Sequence, residues 1–229
     1  MSSAIYDVKI KLLLKTVKKL NVGSAYAVKT KADMPFQRII INNKEYYYIP
    51  GSTIKGVLRT ALIRIAGLLG YKGVSWKVDP DVISNMDDVV IRLFGGPHDN
   101  PSKIIVEPVF IEVDKHRGRT LTHVKIDDKY GICEEGGLYT VEYLPIGVEF
   151  ETTIRGIGLS LEEARALFAS ILELRFERIG KSGVLDVKII KKDSKIPDDL
   201  LSDNIIKLIW EGIGIWTYTY LISISKLPF

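Results

Sequence analysis

Lys55 and Arg59 stand four residues apart in the segment Ile49-Pro-Gly-Ser-Thr-Ile-Lys-Gly-Val-Leu-Arg59. In a helix that spacing puts both cations on one face, within reach of the phosphates of a nucleic-acid backbone. Gly51 and Ser52 come just before them. There the backbone N–H groups and the helix dipole suit an anionic oxygen, and Gly56 permits a close approach. The same residues also describe an amphipathic helix capped by Ser52, with a solvated basic face.

A second candidate is the loop Arg178-Ile-Gly-Lys-Ser-Gly183. Gly180 and Gly183 let a backbone come within hydrogen-bonding distance of RNA, and Lys181 can pair with a phosphate. A plain helix-to-strand turn explains the same glycines. It is not a nucleotide-binding P-loop, because Arg175 stands where the first glycine is required. A polar stretch holds His116, Arg117, Arg119, His123 and Lys125. Its two histidines raise metal binding or general-base chemistry, but they are seven apart with no third partner, which suits a solvated arm. His98, after Gly95-Gly-Pro97, reads as a turn residue. Among Tyr46, Tyr47 and Tyr48, strand alternation sends the middle ring to the opposite face, so at least one could stack on a base or pack in a sheet.

The elements that must hold these residues follow from periodicity. Ile5 to Val17 alternates as a strand, and Phe36 to Ile41 with Glu45 to Ile49 forms a hairpin around Asn42-Asn43-Lys44. Ile54, Val57, Leu58, Ala61, Leu62, Ile65 and Leu68 recur as in a helix that Gly70 closes, and a second helix is expected over Asp81 to Phe94. Lys103 to Val113 reads as one buried strand, and Asp114 to Gly137 as an insertion or flexible arm. Leu138 to Tyr143 and Val148 to Ile154 read as paired strands around Pro145-Ile-Gly147. Ser160 and Glu163 make a capping box for a helix to Phe176, and a strand follows over Val184 to Ile190. A helix over Leu200 to Trp210 and a strand over Ile215 to Ile224 complete the chain, with Trp210, Trp216, Tyr218 and Tyr220 as core or subunit contacts. This order predicts an α+β, ferredoxin-like (RRM-like) fold. The expected core covers about 4–70 and 138–190, a helical lid and extended arm 71–137, and a C-terminal extension 191–229.

Composition sets the limits. Cys133 is the only cysteine, which excludes an internal disulfide and a cysteine-based zinc site. The net charge of +4 allows an anionic partner without demanding one. Gln37 is the only glutamine beside plentiful Ile, Lys and Glu, a balance that leans towards a thermophilic source. No apolar run reaches membrane-spanning length and the N-terminus lacks signal-peptide character, so a cytoplasmic protein without membrane contact is expected.

The segment Pro50-Gly-Ser-Thr-Ile-Lys-Gly-Val-Leu-Arg59 resembles the Pro-Gly-Ser-x-x-(Lys)-Gly-x-x-Arg motif of the RAMP superfamily of CRISPR-associated proteins. Leu93-Phe-Gly-Gly96, Val124-Lys-Ile-Asp-Asp128, Gly136-Gly-Leu-Tyr-Thr-Val-Glu142 and Pro145-Ile-Gly-Val-Glu-Phe150 continue the resemblance in order, over roughly residues 5 to 190. The likeness is nearest to the repeated backbone subunit of the type III Csm and Cmr complexes. It implies binding of a guide RNA (crRNA) through Ser52, Lys55, Arg59, Gly180, Lys181 and Gly183. His123 and Lys125 would bind through a thumb-like arm. It also implies other RAMP subunits as partners, with self-association along the RNA. The loop Lys31-Ala-Asp33-Met-Pro-Phe36 falls where Csm-type subunits carry an aspartate needed to cut target RNA. Asp33 would then hold a divalent cation, expected to be Mg²⁺, or orient the attacking 2′-hydroxyl. A solvated turn residue in a non-catalytic scaffold is the alternative. A metal-independent endoribonuclease processing precursor RNA with His116 or His123 is another. The family's glycine-rich loop usually has more glycines than stand at 178–183.

Overall fold

A computed structural model describes residues 4–23, 32–72, 88–96 and 101–218. Its main sheet is built on β1 (Tyr6–Thr16), whose alternation buries Val8, Ile10, Leu12 and Leu14 under α1 (Gly51–Ile65) and α3 (Leu161–Glu173). β8 (Glu149–Leu159) and β10 (Gly183–Ile189) flank β1 antiparallel, with β4 (Ile104–Val106) outside β8 and the short β9 (Arg178–Ile179) outside β10. The order β10-β1-β8-β4, with α1 and α3 on one face, is that of a ferredoxin-like βαββαβ unit. The second strand of that unit, β4, comes from within segment 71–137.

The other face of this sheet is polar and carries cross-strand ion pairs. Lys11 pairs with Glu151 at 2.8 Å and Lys15 with Glu149 at 3.1 Å, across the β1–β8 ladder. Arg155 pairs with Glu107 at 2.6 Å. Trp216 lies under the ammonium groups of Lys15 and Lys188, at 5.4 and 4.5 Å.

A second sheet joins β2 (Arg38–Ile41), β3 (Lys44–Ile49) and β5 (Val109–Glu112). Its hairpin turns on Asn42 and Asn43 at φ 50° and 61°, the left-handed geometry their side chains tolerate. Tyr47 points inward, while Tyr46 and Tyr48 lie against Phe110 on the outer face at 6.5 and 5.5 Å. The single strand expected over Lys103 to Val113 is two strands, β4 and β5, in different sheets. They part at Glu107-Pro108, where Pro108 has no N–H for a ladder.

The polar arm is an ordered β-hairpin. β6 (Arg119–Ile126) pairs along β7 (Cys133–Tyr143), with Arg119 opposite Tyr143 and His123 opposite Tyr139. The pairing expected between Leu138–Tyr143 and Val148–Ile154 does not form. Both edges of β8 are taken, by β1 and β4, so β7 finds its partner in the arm.

Within the expected lid, the described helix is α2 (Val89–Phe94); residues 81–87 and His98 lie outside the described residues. α3 begins with the predicted capping box: Glu163 N–H donates to Ser160 Oγ at 3.2 Å, and Ser160 N–H to Glu163 Oε2 at 2.8 Å. The C-terminal helix is divided into α4 (Asp198–Leu201) and α5 (Asn204–Gly212), because Asp203 caps the latter. No strand begins at Ile215 within the described residues, and 219–224 lie outside them. Among the described residues no helix is long and apolar enough to cross a membrane.

Two glycines of α1 play opposite parts. A Cβ on Gly51 would stand 2.0 Å from the Val106 carbonyl oxygen, whereas one on Gly56 would meet nothing within 4 Å. Gly51→Ala should therefore destabilise the fold by about 1–3 kcal/mol. Gly56→Ala should stabilise it by about 0.5–1 kcal/mol. Urea denaturation of the two variants checks both signs.

Candidate nucleic-acid interface

The site is organised around Glu142, a carboxylate only 6% exposed on β7. Its Oε2 accepts the Phe36 N–H at 3.0 Å, and its Oε1 accepts from Arg38 and, at 3.2 Å, from the Tyr47 hydroxyl. Tyr47 in turn accepts the Gly118 N–H at 2.8 Å, and burial pushes its hydroxyl pKa up, which keeps it a donor to Glu142. The backbone repeats the attachment. Met34 N–H donates to Thr140 O at 2.9 Å and Glu142 N–H to Met34 O at 3.0 Å, so this segment runs alongside β7. Phe36, fully buried, meets the Tyr47 ring edge-on at 5.1 Å.

That scaffold presents Asp33. The Thr140 N–H and hydroxyl donate to Asp33 Oδ2 at 2.7 and 2.8 Å, and the Asp33 N–H returns a bond to Thr140 Oγ1 at 2.9 Å. The Thr140 amide, then its hydroxyl, hold the Asp33 carboxyl below the usual carboxylate range and outweigh a small loss of hydration. Asp33 is exposed and Oδ1 has no hydrogen-bond partner among the described residues. No three side chains of His, Cys, Asp or Glu form a metal-binding group among the described residues. A hard, ionised oxygen of this kind can serve as one ligand of a divalent cation.

Lys181 reaches the neighbouring residue of this segment, its ammonium 3.7 Å from Met34 Sδ, 3.2 Å from the Tyr139 hydroxyl and 4.6 Å from that ring's centroid. The turn carrying it is fitted to the chain itself. A Cβ on Gly180 would stand 2.1 Å from the Asn21 carbonyl oxygen, and one on Gly183 2.4 Å from Leu20. The close approach these two glycines permit is therefore to neighbouring backbone and core, while Lys181 is left facing outward. β9, at the foot of this turn, packs against α1.

Tyr139 stacks on His123, centroids 5.4 Å apart and rings 20° from parallel, and His123 Nε2 lies 3.0 Å from the Tyr143 hydroxyl. Lost hydration, then the charges of Lys181 and Lys19, hold the His123 pKa below the usual imidazole value. Lys19 caps the Tyr143 ring at 4.8 Å. A ladder of Lys181, Tyr139, His123, Tyr143 and Lys19 results. Lys125, farther along the arm, is already matched by Glu134 at 2.6 Å.

On α1 the sequence expectation needs one correction. Ser52 is not the N-cap: Pro50 holds that position, no side chain caps the helix, and Ser52 lies exposed in the first turn. The fixed φ of Pro50 (−57°, with ψ 141°) already supplies the extended entry a cap residue needs. Lys55 and Arg59 do share a face. Partial burial and then Arg59 push the Lys55 pKa down; partial burial lowers that of Arg59 against the pull of Asp88. Sequence reasoning passed over Glu142 and Thr140. Glu142 lies between Val141 and Tyr143, in a run that gives no sign of a buried carboxylate.

The profile of the RAMP superfamily matches residues 13–184. The chain belongs to the RAMP superfamily. Its fold is similar to a chain of the type III-B Cmr-beta complex bound to cognate target RNA, with TM-score 0.56 and 15% identity over 80% of this chain and 98% of that one. It is similar to the apo state of that complex too, with TM-score 0.55 and 16% identity over 80% and 97%. No protein of curated function matches the sequence. The match spans β1 to the start of β10, and so takes in the RAMP motif, Asp33, the arm and the Lys181 turn.

Two titrations test this geometry. Thr140→Val removes one donor and leaves the amide, so Asp33 should titrate closer to an ordinary carboxyl in ¹³C NMR. Because its folded pKa is depressed, the contribution of Asp33 to stability is complete above the unfolded value and is lost as pH falls through the folded one. Lys181→Ala should move His123 up towards the ordinary imidazole value.

Proposed function

We propose that this RAMP protein is a backbone subunit of a CRISPR type III effector complex, which binds guide RNA and cuts the paired target RNA at Asp33. The observation that carries the reading is the Asp33 carboxylate, pinned through Oδ2 to Thr140, with Oδ1 open and Lys181 against the adjacent Met34. Charge distribution supports it. Lys11, Lys15 and Arg155 of the open sheet face are paired with glutamates, whereas Lys19, Lys55, Arg119 and Lys181, like Lys9 and Lys188 of that face, have no carboxylate within ion-pair distance among the described residues. A polyanion would follow the unmatched charges.

Cleavage needs a 2′-hydroxyl in line with the scissile phosphate and a means of spreading the charge that develops. A divalent cation such as Mg²⁺ at Asp33 supplies Lewis-acid stabilisation of that phosphate. Lys181 pairs with a neighbouring phosphate and so fixes the strand against Asp33. Lys55 and Arg59 hold the backbone on α1, where Gly56 leaves room for it. The protein partners are other RAMP subunits and further copies of this chain along one RNA, in the cytoplasm.

The neutral imidazole of His123 favours a second reading, metal-independent cutting of precursor RNA. EDTA separates them: cutting of repeat RNA by the isolated chain in EDTA would support His123. In the reconstituted complex with Mg²⁺, guide-matched RNA should be cut at regular intervals, and Asp33→Ala should slow that by about 100-fold or more. Undiminished cuts would make this chain a scaffold. Lys55→Ala/Arg59→Ala should weaken RNA binding and lower the slope of log K against log salt by about 1.4, for two single-strand phosphate contacts.

A further inference from the structure

Thr140 directs its amide, its carbonyl and its hydroxyl at two residues of the segment alongside, Asp33 and Met34. In the arm hairpin it lies opposite Thr122. On its other side its carbonyl accepts the Met34 N–H at 2.9 Å, and its N–H donates to Asp33 Oδ2 at 2.7 Å. Where a further strand would offer a backbone carbonyl, Thr140 thus meets a carboxylate. The hydroxyl closes the arrangement: it donates to Oδ2 at 2.8 Å and accepts the Asp33 N–H at 2.9 Å. A hydroxyl carries one proton and two lone pairs, so both bonds exist together. The strand beneath is fixed on either side of this residue. Val141 is fully buried, and the Tyr139 ring is stacked on His123.

We infer that Thr140 is a positioning residue for the cutting of RNA, acting through Asp33 by fixing the direction of its free oxygen, Oδ1. The inference rests on the reading of Asp33 as the cutting residue. The last torsion of an aspartate is broad and selects no orientation by itself. A carboxylate held by one donor pivots about that bond. A second donor on the same oxygen removes the pivot, and bonds to an ionised oxygen are of the short, strong kind. Misplacing a reacting group by one ångström costs about a hundredfold in rate, so the hydroxyl bears on the chemical step. A purely structural role is the competing account, and other bonds already fill it. Met34 is tied to the Thr140 carbonyl and the Glu142 amide, and the Phe36 N–H to the Glu142 carboxylate. None of these uses the Thr140 hydroxyl, so the segment stays on β7 without it.

The test is single-turnover cutting of guide-matched RNA by the reconstituted complex in Mg²⁺. Thr140→Val keeps the shape and strand preference of the side chain and loses both hydroxyl bonds. It should leave RNA affinity and the places of the cuts unchanged, slow cutting about tenfold, and raise the Mg²⁺ concentration for half-maximal rate several-fold. Thr140→Ser restores donor and acceptor, and it should cut within about twofold of the unaltered chain. In an Asp33→Ala background Thr140→Val should slow the residual cutting no further, because a residue that acts through Asp33 has nothing left to position. Cutting by Thr140→Val at the unaltered rate, beside a slow Asp33→Ala, would overturn the inference and leave the reading of Asp33 intact. A slow Thr140→Ser with an unchanged urea midpoint, or further slowing in the double variant, would do the same. A large fall in the urea midpoint of Thr140→Val would give the hydroxyl to the fold and overturn the inference as well. Undiminished cutting by Asp33→Ala would overturn both.

Discussion

One buried carboxylate holds the site together. Glu142 ties three stretches of chain that are distant in sequence: the segment at Phe36, the hairpin residues Arg38 and Tyr47, and, through Tyr47, the Gly118 amide at the root of the arm. Removing one partner from a buried, charge-assisted network of this kind typically costs about 3–5 kcal/mol, because the remaining charge is left without compensation. The arrangement has a functional consequence. A surface segment such as 32–36 would ordinarily sample many conformations, yet here it runs along β7 and Asp33 is oriented before any ligand arrives. The arm and the Asp33 segment share β7, so a shift of the hairpin at its root would be felt at the carboxylate.

RRM-type folds commonly bind RNA on the open face of the sheet through aromatic side chains. Here that face carries Lys11, Lys15 and Arg155, each matched by a glutamate, and Trp216 is covered by two lysines. Exposed pairs of this sort add little to stability, but they do remove net field from that face. Lys9 and Lys188 of that face have no ion-pair partner among the described residues, and neither do Lys55 and Arg59 on α1, Lys181 on its turn and Arg119 on the arm. The rings beside them, Tyr139 and His123, are presented by the hairpin and not by the main sheet.

Much of this was legible in the chain. Alternation located β1, paired asparagines located the β2–β3 turn, and Ser160 with Glu163 marked the start of α3, because each is a local signal with a local cause. The RAMP motif and the order of later segments led to the family. What could not be read was long-range pairing. The alternation of Leu138 to Tyr143 says that a strand exists, and it carries no information about whether β8 or the arm is the partner. The division of β4 from β5 depends on two sheets competing for one stretch, with only Pro108 as a hint. Glu142 and Thr140 escaped notice for a related reason. Their roles exist only once segment 32–36 lies against β7, more than a hundred residues away.

The glycines show how far a motif can be taken as evidence of contact with a ligand. Gly51 is required by the Val106 carbonyl, Gly180 by that of Asn21, and Gly183 by Leu20 and Ile179. Each would be needed for the fold even if the protein bound nothing. Their presence therefore speaks for the RAMP architecture and not directly for RNA. Gly56 differs, for no protein atom claims the space beside it and a glycine inside a helix costs about 0.5–1 kcal/mol relative to alanine. A cost borne at an exposed position between Lys55 and Arg59, with no packing reason for it, is the kind of local inconsistency expected where something else must come close. The case for an RNA backbone on α1 thus rests less on the Pro-Gly-Ser signature than on the one glycine of that motif which no protein atom crowds.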